Sequence, residues 1–375
     1  MRSKHPGKPG STEMNSSEHS PPDPWHIHAP FWRSQCVHGE SLFFIRESPD
    51  QPASARLLFP PDDSLILTSA SRETVYSVDV DYVVDPGERS ITLPPESRIP
   101  FTDRHALYRG AGQELAIAHK LGDEAVWLYH CEGHHFHDRQ VEASYRHDST
   151  WRGSVPEFQG HLLPRTTARL NAGESLSIGV CGDSIAGGAN ASSCVGASPA
   201  MPPFRELFAQ ELRRRYAGVG DLTDVSVGGI GTQRGLELVD SVLESKPDLV
   251  VIAFGMNDAG WLPVDEYVGN IAKMVERIRA DAPEAEIILV ASMLGNPEWH
   301  NTPMQSFFGF RDGLRSLCCD GVALADLTQM WSDLLQCKTY HDLTGNGVNH
   351  PNDFGHRTYA QVLLDVLVPA QRWAD

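Results

Sequence analysis

Transfer of an acyl group needs a nucleophile, a base that titrates near neutrality, and donors for the oxyanion of the tetrahedral intermediate. The second half of this 375-residue chain offers all three at positions where a sheet would present them. Ser184 ends the run Ile178-Gly-Val-Cys-Gly-Asp-Ser184, where apolar residues stop abruptly and the small residues Ala186-Gly-Gly-Ala-Asn-Ala191 follow. That is how a buried strand delivers a hydroxyl to the mouth of a parallel sheet. A serine hydroxyl is a weak nucleophile until a neighbouring base takes its proton, and His350, in Asn346-Gly-Val-Asn-His350-Pro351, is the candidate base. The N–H groups of Ser184 and Gly229 and the carboxamide of Asn257 are candidate oxyanion donors. Glycine at 229 lets the backbone approach a substrate with no Cβ in the way.

These groups are useful only if strands and helices bring them together. From about residue 171 onward, apolar runs at 175–181, 225–227, 247–254, 286–291 and 321–325 alternate with helical patterns at 204–216, 235–243, 267–280, 307–318 and 353–368. The run 247–254 is apolar enough to be buried on both faces. Such alternation predicts an α/β domain over 171–375, a parallel sheet covered by helices and joined by right-handed crossovers. In an open parallel sheet ligands bind beyond the carboxyl ends of the strands, and Ser184, Gly229 and Asn257 each follow one. Residues 25–170 read differently. Short apolar or alternating runs at 41–45, 56–59, 64–68, 75–80, 125–129 and 141–145 are separated by turn residues, which predicts an all-β sandwich, jelly-roll-like, as an accessory domain. Residues 1–24 are rich in Ser, Pro, Gly, Lys and Glu and are expected to form a disordered tail.

The blocks Gly182-Asp183-Ser184, Gly229, Gly255-Met256-Asn257-Asp258 and His350-Pro351, in that order, resemble the SGNH (GDSL-type) hydrolase superfamily of esterases, lipases and acetylesterases. The resemblance covers most of the second half. It implies a flavodoxin-like three-layer fold with Ser184 as nucleophile, His350 as base, and Ser184, Gly229 and Asn257 around the oxyanion. A β-sandwich ahead of such a domain is similar to several carbohydrate O-acetylesterases. A conventional α/β-hydrolase elbow is disfavoured because Ala186 stands where Gly-x-Ser-x-Gly needs glycine, and a P-loop because no Gly-Lys-Ser/Thr follows the strand.

One departure stands out. The family usually carries Asp three residues before the base, and here that position is Gly347. Asp342 is then the first candidate to orient His350, with Asn346, Asn349 or a backbone carbonyl as alternatives that leave a Ser-His dyad. Trp261 and Trp299 follow strands three and four and are candidates for walling a sugar or acyl pocket, one of the two being expected to do so. His134, His135 and His137 lie close in sequence, but no carboxylate sits at a metal-site spacing, so neither a metal nor another cofactor is expected.

The formal charge of -18 argues against nucleic acid and anionic membrane as partners. No apolar stretch approaches the ~20 residues of a membrane span, and no export leader is visible. A cytoplasmic location is expected for the sequence as it stands, and a secreted one if a leader has been removed. The seven cysteines are expected to be reduced. The expected function is a serine esterase that removes short acyl groups, acetyl above all, from a small-molecule or oligosaccharide ester. The alternatives are a lipid or thioester acyl hydrolase and a non-catalytic carbohydrate-binding protein.

Overall fold

The computed structural model describes residues 27–373, and the expected tail lies outside them. The first half is built on β1 (Cys36–Arg46), an 11-residue strand. With it run β2 (Ser54–Arg56), β3 (Ile66–Ser69), β4 (Val75–Tyr76), β5 (Val83–Val84), β6 (Ser90–Thr92) and β7 (Phe101–Asp103). Then come β8 (Tyr108–Gly110), β9 (Ala116–Ile117), β10 (Val126–Tyr129) and β11 (Gln140–Arg146). One sheet has the order β4-β3-β11-β1-β2-β6-β5, with β7 parallel to β1; a smaller one has the order β8-β10-β9. β1 belongs to both curled ends of the large sheet: it pairs β11 from Cys36 to Phe43 and turns to β2 and β7 at Phe44 to Arg46. Successive side chains of a strand point to opposite faces. Accordingly Leu42 and Phe44 enter the main core, while Phe43 and Ile45 join Leu107, Tyr129 and Phe136 in a second cluster. The small sheet contributes Tyr129 to that second face, which completes the sandwich.

The second half contains α1 (Pro164–Ala172), β12 (Leu176–Gly182), α2 (Phe204–Arg215), β13 (Val219–Asp224), α3 (Gly235–Leu243) and β14 (Leu249–Ala253). It continues with α4 (Val264–Asp281), β15 (Glu286–Ala291), α5 (Met304–Ser316), β16 (Val322–Asp326), α6 (Leu327–Leu334) and α7 (Asp353–Leu367). Five parallel strands take the order β13-β12-β14-β15-β16. The chain thus leaves β12 for one edge and returns past it to the other, the flavodoxin-like path. Helices pack over the sheet, with α2 against α7, α3 against α4 and α4 against α5. β14 and β15 are buried at every position, as continuous apolar runs in a covered parallel sheet should be. Tyr267, Ile271, Met274, Val275 and Ile278 make the buried stripe of α4.

Strand two lies at 219–224, earlier than the 225–227 expected. It is the sheet edge, half-buried apart from the exposed Asp221, so Val-Gly-Asp-Leu-Thr-Asp shows no apolar run. The segment 225–227 continues beside β12, with Val225 N donating to Val180 O and Val227 N to Gly182 O. α1 and α6 have no counterpart in the pattern. The first begins with proline at its first turn, and the buried Glu286 carboxylate accepts from Arg165 N at 3.0 Å and Thr166 N at 2.7 Å, satisfying donors a helix start leaves open.

The two halves share one apolar core, which runs from Leu42 and Val141 to Tyr359 and Leu363. Polar ties cluster where β1 and β11 meet the segment 338–352. Lys338 Nζ lies 2.6 Å from Glu40 Oε1 with both side chains fully buried, and Tyr145 donates to the other oxygen at 2.6 Å. Gln140 Nε2 donates to His341 O and Thr344 O, and Asn352 Nδ2 to Ser41 Oγ at 2.9 Å. The β-sandwich therefore grips the loop that carries His350.

Candidate active site

Ser184 follows β12 at the carboxyl edge of the sheet. Its loop is set by Asp183, whose buried carboxylate accepts from Ile185 N at 2.9 Å, and by Gly187 N and Ala189 N, which donate to the carbonyls of Asp183 and Ser184. Burial pushes the Asp183 carboxyl up to about 7. Ser184 Oγ lies 2.9 Å from His350 Nε2, within hydrogen-bond reach for proton transfer. A Cβ on Gly228 would sit 3.6 Å from Ser184 Cβ, so the loop after β13 passes beside the serine. At Gly229 the backbone is left-handed, φ 77°, which favours glycine. Among the described residues the N–H groups of Ser184 and Gly229 have no acceptor within the protein.

Asp258 holds the second and third blocks together. Its Oδ1 accepts from Thr232 N at 2.8 Å and Thr232 Oγ1 at 2.7 Å. Asn257 beside it donates one Nδ2 hydrogen to Ile230 O at 3.0 Å, which fixes the amide orientation and leaves the second donor uncommitted. Trp261 is 57% exposed, and its indole N–H is tied to Asn257 O at 2.6 Å.

The partner of the base is not Asp342. Its Oδ1 accepts from Phe43 N at 2.7 Å and its Oδ2 from Thr339 N and Oγ1 at 2.8 Å, so this buried carboxylate is used up anchoring the His loop to β1. Asn346 and Asn349 are not ring acceptors either. Asn346 Oδ1 accepts from the N–H groups of Val348, Asn349 and His350, which turns its NH2 toward the ring at 3.0 Å from Nδ1. The two hydrogens of that NH2 reach Glu132 Oε1 and Asn349 Oδ1, at 3.0 and 2.8 Å. The acceptor is Asn190 Oδ1, 2.7 Å from His350 Nδ1. Asn190 Nδ2 donates to Gly133 O and Gly345 O, so its oxygen must face the ring. That contact places the imidazole proton on Nδ1 and leaves the Nε2 lone pair for Ser184.

Asn190 was missed because 160 residues separate it from the base. The signal available was a single carboxamide in the run Ala186-Gly-Gly-Ala-Asn-Ala191, now seen in a left-handed conformation at φ 63°. A second group was missed as well: Glu132 Oε2 of the β-sandwich lies 3.5 Å from His350 Nδ1.

Residues 180–358 match the GDSL-like Lipase/Acylhydrolase family. That segment, just under half of the chain, is a GDSL-like lipase/acylhydrolase domain. No curated protein sequence matches the chain. It is similar in structure to a two-domain esterase (CEX) active on acetylated mannans, co-crystallized with mannopentaose, at 19% identity and TM-score 0.44 over 58% of this chain; it spans 56% of that one. It is also similar to a carbohydrate esterase family 3 protein from Talaromyces cellulolyticus, at 17% identity and TM-score 0.40 over 50% of this chain and 94% of that one. A lipase/acylhydrolase from Enterococcus faecalis gives 19% identity and TM-score 0.40 over 50% of this chain and 93% of that one.

In the GDSL-like domain the glycine at 347 has a local cause. Its φ is 96°, and a Cβ there would run into Tyr129 O and the Phe136 ring, both from the sandwich. The sandwich thus occupies the space a side chain at 347 would need. Trp299 is not open to a ligand: it is 9% exposed, donates to Ala118 O at 2.7 Å and packs with Leu128 and Val348. His134, His135 and His137 turn to separate partners, Asp138, Tyr129 OH and Ser198 O. Among the described residues no three His, Cys, Asp or Glu side chains form a metal-holding group, and no helix is long and apolar enough to cross a membrane.

Proposed function

We propose that the protein is a serine carboxylic-ester hydrolase that removes short acyl groups, acetyl above all, from a carbohydrate. The observation that carries the reading is the 2.9 Å contact between Ser184 Oγ and His350 Nε2, with Asn190 fixing the ring from behind. Ser184 attacks the ester carbonyl as His350 Nε2 takes its proton. The oxyanion is held by the N–H groups of Ser184 and Gly229 and the free Asn257 donor, each such donor contributing on the order of 3 kcal/mol to the barrier. His350 returns the proton to the leaving alkoxide, and water then hydrolyses the acyl-enzyme by the same route in reverse. Support for a sugar substrate comes from Trp261, an exposed aromatic plane joined to the oxyanion residue Asn257.

The test is turnover of 4-nitrophenyl esters by wild type and Ser184→Ala, followed by an acyl-chain series and acetate release from acetylated oligosaccharides. Turnover by wild type alone, falling steeply beyond acetyl, is expected. A preference for long chains would favour a lipid acyl hydrolase, and equal, negligible turnover by both proteins would remove the esterase reading.

A further inference from the structure

Asn190 orients the base and accepts its Nδ1–H, but it carries no charge of its own to offset the one His350 acquires as Ser184 attacks. The β-sandwich holds a charge at the place where it is needed. Glu132 stands on the loop 130–133 between β10 and β11, and each residue of that loop is tied down. Cys131 N donates to Asn346 O at 3.2 Å, Gly133 O accepts from Asn190, and the Glu132 carboxylate meets Asn346 Nδ2 at 3.0 Å, His130 Nε2 at 3.4 Å and His350 Nδ1 at 3.5 Å. The loop thus touches both asparagines beside the base and the base itself. We propose that Glu132 is a positioning residue of the esterase site, the carboxylate that stabilises protonated His350 in the transition state and is supplied from the accessory domain. On this basis the sandwich is a working part of the active site.

The proposal rests on the esterase reading of Ser184 and His350. Other charged or titratable groups facing the ring are few: Asp183 on the nucleophile loop, His356 on α7, and His130 beside Glu132. Partial burial pushes the Glu132 carboxyl up, but hydrogen bonds with His130 and His350 outweigh it and hold the group below the usual carboxylate range. The carboxylate is therefore charged throughout the pH range of interest. Its side chain is 58% exposed, so water screens much of the interaction and the effect is moderate.

Glu132→Gln keeps an acceptor for Asn346 and removes only the charge. The experiment measures the pH dependence of kcat/KM on 4-nitrophenyl acetate, and of fluorophosphonate labelling of Ser184, in wild type, Glu132→Gln and Ser184→Ala. Expected for Glu132→Gln are an unchanged melting temperature, a KM within about twofold, a kcat lower by about tenfold, and an acid limb moved to lower pH by roughly half a unit to one unit in both assays. An unmoved acid limb overturns the proposal, whether or not kcat falls, because a purely structural role would lower kcat without moving it. If wild type is neither active nor labelled above Ser184→Ala, the esterase reading itself fails and the proposal with it.

Discussion

Replacing Asn190 by alanine separates the orientation of the base from every other feature of the site. The variant loses the 2.7 Å acceptor of His350 Nδ1–H, a bond that is charge-assisted once the ring is protonated. Such a bond contributes about 1.5 to 3 kcal/mol, or roughly 10- to 150-fold in rate. With Glu132 still beside the ring, a kcat about 10- to 100-fold below wild type is expected, with KM changed by less than about threefold. Stability falls for different reasons. Gly133 O and Gly345 O lose their donor, at about 1 kcal/mol each, and alanine must hold the left-handed φ of 63°, at about 1 kcal/mol more. With an unfolding entropy of about 2.1 cal/mol/K per residue, a chain of 375 residues shifts by about 1.3 °C per kcal/mol, so the melting temperature should drop by roughly 4 °C. Steady-state kinetics on 4-nitrophenyl acetate at 25 °C, with a thermal melt of the same sample, reads both effects. A folded variant with kcat within threefold of wild type would refute the assignment of Asn190, and a raised KM at constant kcat would move its role to substrate binding.

Asp342→Ala should give the reverse pattern, a kcat within about threefold of wild type and a melting temperature lowered by several degrees, since the carboxylate bonds Phe43 N and Thr339 rather than the base; a large fall in kcat of the folded protein would restore Asp342 to the site. Asp183→Asn addresses pH. A carboxyl raised by burial to about 7 favours its protonated form in the fold, so its contribution to stability is complete below about pH 4 and is lost as pH rises toward 7. The variant should therefore exceed wild type in denaturant stability at pH 8 by a few kcal/mol and lose the advantage by pH 4, whereas a pH-independent difference would contradict the shift. Trp261→Ala should raise KM for an acetylated oligosaccharide by about 2- to 10-fold and leave 4-nitrophenyl acetate kinetics and the melt unchanged; equal effects on both substrates would exclude a sugar platform.

What was legible in the sequence followed from short-range pattern. β14 and β15 are continuous apolar runs, and Ser184 and His350, which the fold brings to 2.9 Å, sit in local blocks whose residue types single them out. Strands of two or three residues, such as β5 and β9, have no periodicity to read, and the edge strand β13 has no buried face to make apolar. Contacts that close over long sequence distances were invisible for a different reason. Nothing near Asn190 or Glu132 points to a histidine 160 or 218 residues away; the fold of the α/β domain brings Asn190 to the ring, and the docking of the sandwich on the His loop brings Glu132. Asp342 misled because its type and proximity suited an orienting carboxylate, while its actual partners, Phe43 N and Thr339, required knowing that β1 lies beneath it. Trp299 follows a parallel strand as expected of a pocket residue, yet the smaller sheet covers it.

Acylation of Ser184 with His350 as its base is measured directly by intact and peptide mass spectrometry after rapid acid quench of the enzyme with excess 4-nitrophenyl acetate. An acetyl group is expected on the peptide bearing Ser184, formed with a burst of nitrophenol, absent in Ser184→Ala and greatly slowed in His350→Ala. An acetyl group on another residue, or full turnover with Ser184 replaced, would contradict it.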